Sequence, residues 1–222
     1  ALAYSRKKKA ILEEFMVGTE ATIEALSYAG DTEVLAISDK YHVPFPDCVA
    51  ISLNYPPCFS ISVQLEIQEV VKASIAALGI ECGPTHTEVM VTETGVMMVE
   101  VAARGGGFKV FSDVIRLASG VDAVAETLKI SLGEDPDYKA RFQRGVVLRF
   151  FNPRQSGILK RVHGVEKVRD MLGVFDLVID KSPGEAIGSI SSDGERPGYF
   201  IAVAEDREKV MELAAAVEDI VE

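Results

Sequence analysis

Between His86 and Gly107 the chain gathers Glu88, Glu100, Arg104 and the run Gly105-Gly106-Gly107. Carboxylates give a divalent cation hard oxygen ligands. An arginine presents a planar fork of donors that suits phosphate or carboxylate, and glycines let a ligand approach the backbone closely. A histidine can hold or pass a proton near neutrality. The chemistry these residues suggest together is metal-assisted handling of a phosphate group.

Two strands must position them. Residues 86–92 and 96–102 are rich in Val and Thr and flank a glycine-containing turn, which predicts a β-hairpin. A three-residue loop of Glu93, Thr94 and Gly95 sets Thr92 opposite Val96. Met90 then faces Met98, Glu88 faces Glu100 and His86 faces Ala102 on one side, with Val89, Val91, Val99 and Val101 on the other. Directly opposed carboxylates sit roughly 4.5–5.5 Å apart at Cβ and repel unless a cation lies between them. Magnesium takes one or two protein carboxylates and completes its shell with water and substrate phosphates, so the pair points to a nucleotide. A two-residue turn leaves another outcome open: Glu88 and Glu100 on opposite faces of a solvated ribbon.

The pattern His-x-Glu, hairpin, Glu100-Val-Ala-Ala-Arg-Gly-Gly-Gly107, then a helix and Ser119-Gly120-Val121-Asp122, resembles the carboxy-terminal half of the ATP-grasp fold. Ile11-Leu12-Glu13-Glu14-Phe15-Met16-Val17-Gly18-Thr19-Glu20 resembles the strand and loop that cradle adenine and ribose in that family, so the resemblance spans roughly residues 10–135. It implies that Glu13, Glu14, Phe15 and Met16 border the adenine, with Met90 a further candidate for its slot, and that Glu20 holds the ribose. It implies Glu88 and Glu100 as magnesium ligands, with manganese an alternative ion. Arg104 would face the transferred phosphoryl group, and the amides of Gly105, Gly106 and Gly107 the oxyanion. His86 would lie at the substrate. Ala102 stands where family members often carry an asparagine, so no third protein ligand is expected.

Each residue also has a plainer reading. Glu13, Glu14 and Glu20 can be strand-edge charges, Arg104 a neutralising partner, the glycines a joint, His86 a hydrogen-bonded structural residue, and Met90 and Met98 core packing.

The 222 residues are 48% hydrophobic with a net charge of −11, enough for one large or two small cores. Such acidity argues against nucleic acid as a partner, and the basic run Arg6–Lys9 reads as a solvated edge. No apolar run approaches the roughly 20 residues needed to span a bilayer and no signal peptide opens the chain, so a cytoplasmic location without membrane partner is expected. Cys48, Cys58 and Cys82 form no Cys-x-x-Cys pair and read as small buried or partly buried residues.

The fold expected is α+β: an ATP-grasp large subdomain over residues 1–138, an antiparallel sheet flanked by helices, then a small α+β domain over 139–222. Strands are predicted at 10–17, 20–28 and 33–38, an irregular proline-rich loop at 39–60 with Lys40 a candidate phosphate contact, and helices at 63–78, 110–118 and 122–132. Strands at 145–151, 174–180 and 198–204, a helix at 164–172 and a closing helix capped by Asp206 complete the reading. The loop Gly184–Arg196 reads as a hairpin excursion, and Pro197–Ala202 resembles the carboxy-terminal domain of ATP-grasp ligases. Because the chain opens at Ala1 on the adenine-side strand, the resemblance implies a piece of a longer ligase without its leading Rossmann-like domain and most of its lid. Such a protein would join a carboxylate to an amine with ATP through an acyl phosphate, and a homodimer is compatible with it. A non-catalytic nucleotide-binding or assembly module is the alternative, and a cupin-like metal protein has too few histidines.

Overall fold

The computed structural model describes residues 2–221 apart from Tyr4, Pro46 and Arg154. In chain order it contains β1 (Thr19–Tyr28), β2 (Asp31–His42), β3 (Ala50–Tyr55), α1 (Ile61–Ala77), β4 (Gly83–Thr92) and β5 (Gly95–Ala102). A π-helical turn (Val110–Val114) then runs into α2 (Ile115–Ser119), followed by α3 (Ala123–Leu132), β6 (Gly145–Phe150), β7 (Gly157–Ile158) and α4 (Val165–Arg169). After these come β8 (Val174–Ile179), β9 (Ala186–Ile187), β10 (Gly198–Ala204) and α5 (Arg207–Ile220). The expected α+β architecture, a large antiparallel sheet flanked by helices, is present.

Eight strands form one sheet in the order β5-β4-β1-β2-β3-β6-β10-β8, while β7 pairs with β9 separately. The sheet runs across residue 138 without a break, because β3 pairs antiparallel with β6 from Ser52↔Arg149 to Tyr55↔Val146. The parts expected to be separate therefore share a hydrogen-bonded ladder. A continuous ladder leaves no unpaired edge between them, and helices of both halves cover its back face.

Strand alternation sorts the sheet into two faces. On the back, Ile67, Val71 and Ile75 of α1 cover Ala21, Ile23, Ala25, Ile37 and Val89, and α4 and α5 cover Val147, Phe200 and Ala202. On the front, the π-helical turn and α2 lay Val110, Val114 and Ala118 over Leu53, Tyr55, Val146, Leu148 and Ile201. Those side chains follow a helical period and each is nearly or wholly buried, at roughly 1.5–3 kcal/mol apiece for the large ones. Ser60 caps α1, Asp122 caps α3 and Asp206 caps α5 through bonds to the third residue onward.

Residues 39–60 depart from the expected loop, since β2 continues to His42 and β3 occupies Ala50–Tyr55. The prolines flank these strands rather than interrupting them, which is where proline is tolerated. Residues 11–17 form no strand but an irregular segment with Ile11, Leu12, Phe15 and Val17 exposed. Neighbours β2 and β4 already take both sides of β1, so this segment has no free edge beside that strand. Helix α4 is shorter than predicted, and all three cysteines are exposed rather than buried. The loop after Gly184 folds back instead of projecting: Ile190 is buried against Val43 and Val49.

Candidate active site

The β4–β5 hairpin turns on two residues, Glu93 and Thr94, with Thr92 opposite Gly95, not on the expected three-residue loop. Thr92 fixes the turn by accepting from the Thr94 amide (3.2 Å) and donating to the Gly95 carbonyl (2.9 Å). On its own this turn would place Glu88 and Glu100 on opposite faces. A β-bulge intervenes: Val89 pairs with Met98 but Glu88 pairs with Glu100, leaving Val99 as the extra residue. Glu88↔Glu100 and His86↔Ala102 are thereby restored as expected. Met90 instead meets Met97, and Val99 leaves the core at 40% exposure while Met98 packs beside Val89 in its place.

The same face of β1 carries Glu20 beside Met90, Thr22 beside Glu88 and Glu24 beside His86. Lys40 of β2 lies opposite Glu20. From these positions a chain of charges forms. Lys40 Nζ donates to Glu20 Oε1 (2.6 Å) and Glu88 Oε1 (2.7 Å), and His42 Nε2 lies 3.1 Å from Glu20 Oε2. His86 stands between two acids, its Nε2 3.5 Å from Glu88 Oε1 and its Nδ1 bonded to Glu24, which is fully buried. Burial opposes a charge on His86, but hydrogen bonds to Glu24 and Glu88 outweigh it and hold the ring's pKa up to about 9. Hydrogen bonding from His86, reinforced by Lys40, holds Glu88 well below the usual carboxylate range despite its burial. Burial pushes Glu24 up, against the pull of His86, the Gly106 amide and Arg104. Glu100 is exposed at the rim.

Above the cluster runs the glycine loop. The Gly106 amide donates to Glu24 Oε2 (3.0 Å), and a Cβ there would lie 2.3 Å from Glu24 Oε1 and 2.9 Å from His86 Nδ1. Any larger residue there would have to displace one of these two side chains. A Cβ on Gly105 would meet the Phe111 ring at 2.2 Å, whereas Gly107 has open space. Since the Gly106 amide is already bonded, it does not point into an empty oxyanion cradle as expected. Arg104 is exposed, its Nη1 donating to the adjacent Gly105 carbonyl (3.0 Å). The loop closes through Phe108 and Lys109, both in the left-handed region at φ 46° and 61°. That conformation costs an L-residue roughly 1–2 kcal/mol, so other contacts must hold it.

Glu13, Glu14, Phe15 and Met16 lie on the segment that leads into β1, where Phe15 meets Phe45 edge to face (centroids 6.2 Å). Among the described residues no three His, Cys, Asp or Glu side chains gather closely enough to hold a metal by themselves. Magnesium needs no such cage, and the opposed Glu88 and Glu100 beside a cationic Lys40 fit an ion that shares its shell with phosphate oxygens.

This arrangement can be set beside known proteins. The sequence model of the ATP-grasp domain matches residues 2–112, half of the chain. The chain belongs to the ATP-grasp family. Residues 149–222 match the L-amino acid ligase C-terminal domain 2. Uncharacterized protein y4rH of Sinorhizobium fredii (strain NBRC 101917 / NGR234) is 29% identical over 197 residues, covering 89% of this chain and 40% of that protein. The L-arginine-specific L-amino acid ligase of Bacillus subtilis is 27% identical over 196 residues, covering 84% and 46%. The crystal structure of L-amino acid ligase from Bacillus licheniformis superposes with a TM-score of 0.84 at 24% identity, covering 93% of this chain and 54% of that one. The chain thus spans less than half the length of the two curated relatives. In this ATP-grasp chain the front face brings together Glu20, His86, Glu88, Met90 and Glu100, all singled out from sequence. Glu24 and His42 were missed, although an acid alternating with Glu20 and Thr22 along an otherwise apolar strand was a readable signal. Among the described residues no helix is long and apolar enough to cross a membrane.

Proposed function

We propose that this chain supplies the nucleotide- and metal-binding part of an ATP-dependent ligase that joins a small carboxylate substrate to an amine. The observation that carries the reading is the facing pair Glu88 and Glu100, set beside Lys40 and next to the Glu24 and His86 on which a glycine loop rests, in a chain of the ATP-grasp family. Glu88 and Glu100 would hold magnesium, or manganese in its stead. An ion held there would offset charge on the transferred phosphoryl group. Lys40 and His86 both contact Oε1 of Glu88, which keeps that carboxylate ionised and aimed at the open face. Glu20 would hold the ribose and Glu13–Met16 border the adenine, with Met90 lining the slot.

In the reaction a carboxylate oxygen takes the terminal phosphoryl group of ATP, giving an acyl phosphate and ADP. The amine nitrogen then attacks the acyl carbon and inorganic phosphate leaves. Arg104 and the Gly107 amide would face the oxyanion of that second step, while Gly106 anchors the loop on Glu24. His86, charged at neutral pH, would steady the substrate's negative charge. Small-molecule carboxylate and amine substrates suffice, without nucleic acid or membrane.

The test is ADP release by the intact protein as amino acids and other carboxylates are supplied singly and in pairs. Release that depends on a carboxylate supports the ligase, and nucleotide binding without release under every pairing supports a non-catalytic module. Glu88→Gln and Glu100→Gln should each weaken magnesium-dependent ADP binding in calorimetry at least tenfold; unchanged binding removes the metal assignment.

A further inference from the structure

The two left-handed residues that end the glycine loop are held from outside it. Phe108 packs edge to face on Phe150 (centroids 4.9 Å) and Tyr199 (6.4 Å). The Arg196 guanidinium lies over both rings, 3.9 Å from the Phe150 centroid and 5.1 Å from that of Phe108. Arg196 is only 6% exposed; its Nη2 bonds Asp193 (2.8 Å) and its buried Nε has no hydrogen-bond partner among the described residues. Next along the chain, Lys109 Nζ donates to Asp176 Oδ2 (2.7 Å), and Tyr199 Oη donates to the same oxygen (3.2 Å). Every one of these partners lies in β6, β8, β10 or the loop before β10. Burial alone does not explain the arrangement, because Phe108 stays 46% exposed. The loop bearing Arg196 is itself fixed, with Glu195 accepting from the Ser191 and Ser192 amides (2.6 and 3.0 Å) and Ile190 buried.

We infer that the carboxy-terminal part acts as a clamp on the glycine loop, with Arg196 and Asp176 as positioning residues that hold Phe108 and Lys109 left-handed and so set Arg104 to Gly107 against Glu24 and His86. A guanidinium over two aromatic faces fixes a ring's orientation as apolar packing does not, through attraction to the ring quadrupoles. Without it the turn relaxes to the sterically preferred right-handed or extended regions, and the loop's groups lose their place. The functional half of this inference rests on the ligase reading, since it requires that the loop face the reacting centre.

Arg196→Met keeps length and apolar contact but removes the charge, and Arg196→Lys restores a cation. In the intact protein Arg196→Met should raise hydrogen–deuterium exchange of the 105–109 amides at least tenfold and lower kcat roughly tenfold, with KM for ATP within about twofold. Arg196→Lys should fall between. Unchanged exchange in Arg196→Met overturns the clamp, and so does raised exchange with full kcat, because the loop's order would then not matter to the reaction. If Arg196→Met does not fold, Asp176→Asn is read by the same two measurements. Should the unaltered protein turn over no substrate, the ligase reading fails while the clamp is judged on exchange alone.

Discussion

Adjacent residues of β2 place opposite charges on opposite faces of the sheet, and the two surroundings differ in kind. On the back, Asp39 is fully buried and paired one to one with Arg207 of α5 through two bonds (2.6 and 2.8 Å), the same guanidinium also donating to the Pro56 carbonyl (2.5 Å). On the front, Lys40 is shared between Glu20 and Glu88, and a further acid, Glu100, stands across from Glu88. Glu20, Glu24, Glu88 and Glu100 outnumber Lys40 and the protonated ring of His86. A saturated pair, closed off by helices, is architecture: it ties the start of α5 to a strand 168 residues earlier. A network with surplus carboxylate and an open rim is what the proposed cation site requires. Charge balance, more than burial, separates the two.

The sharpest way to break that distinction is Asp39→Ala, which takes the carboxylate from a partly buried guanidinium and should cost about 3 kcal/mol in urea unfolding, with added magnesium recovering none of it. A loss below about 1 kcal/mol would mean that the pair is not structural. Gly106→Ala comes next, at about 1–3 kcal/mol, because its Cβ must displace Glu24 or His86. It should lower ligase turnover far more than Gly107→Ala, whose Cβ meets open space; equal effects would contradict the packing of the loop. Lys40→Met should cost about 1–2 kcal/mol by removing the cation that Glu20 and Glu88 share, and here magnesium should raise the melting temperature of the variant more than that of the unaltered protein. No such gain would show that the front acids do not bind the ion.

The smallest effect is on pH. With His86 raised from 6.5 to about 9, the stability its charged ring contributes is fully present below about 6.5 and lost as pH rises through about 9. Ring NMR signals should titrate near the higher value, and Glu24→Gln should bring the midpoint down, since it removes the strongest favourable contact.

Much of this was readable from sequence where local pattern sufficed. The two acids of the hairpin were placed face to face correctly, but through a turn one residue too long, and the bulge at Val99 supplied the residue that the turn did not. Turn length and a bulge trade against each other in the register sum, so periodicity alone cannot tell them apart. Helix α3 with its Asp122 cap and strand β10 followed from period and capping signals. What failed depended on distant partners. β3 was hidden by flanking prolines, residues 11–17 had strand-like composition but no neighbour, and the role of Arg196 requires Phe108 and Phe150 to be brought together by the sheet. Glu24 was passed over because a fully buried acid is rare unless paired, and its partner, His86, is 62 residues away.

The bulge also says something about how this hairpin can vary in length. Excising Val99 would leave Met98 against Val89 and bring Glu100 directly into line with Glu88 in a regular ladder. The deletion removes an exposed residue and keeps the acidic pair facing. Among related sequences, a one-residue gap at this point therefore leaves the two acids facing, whereas an insertion elsewhere in either strand turns them apart.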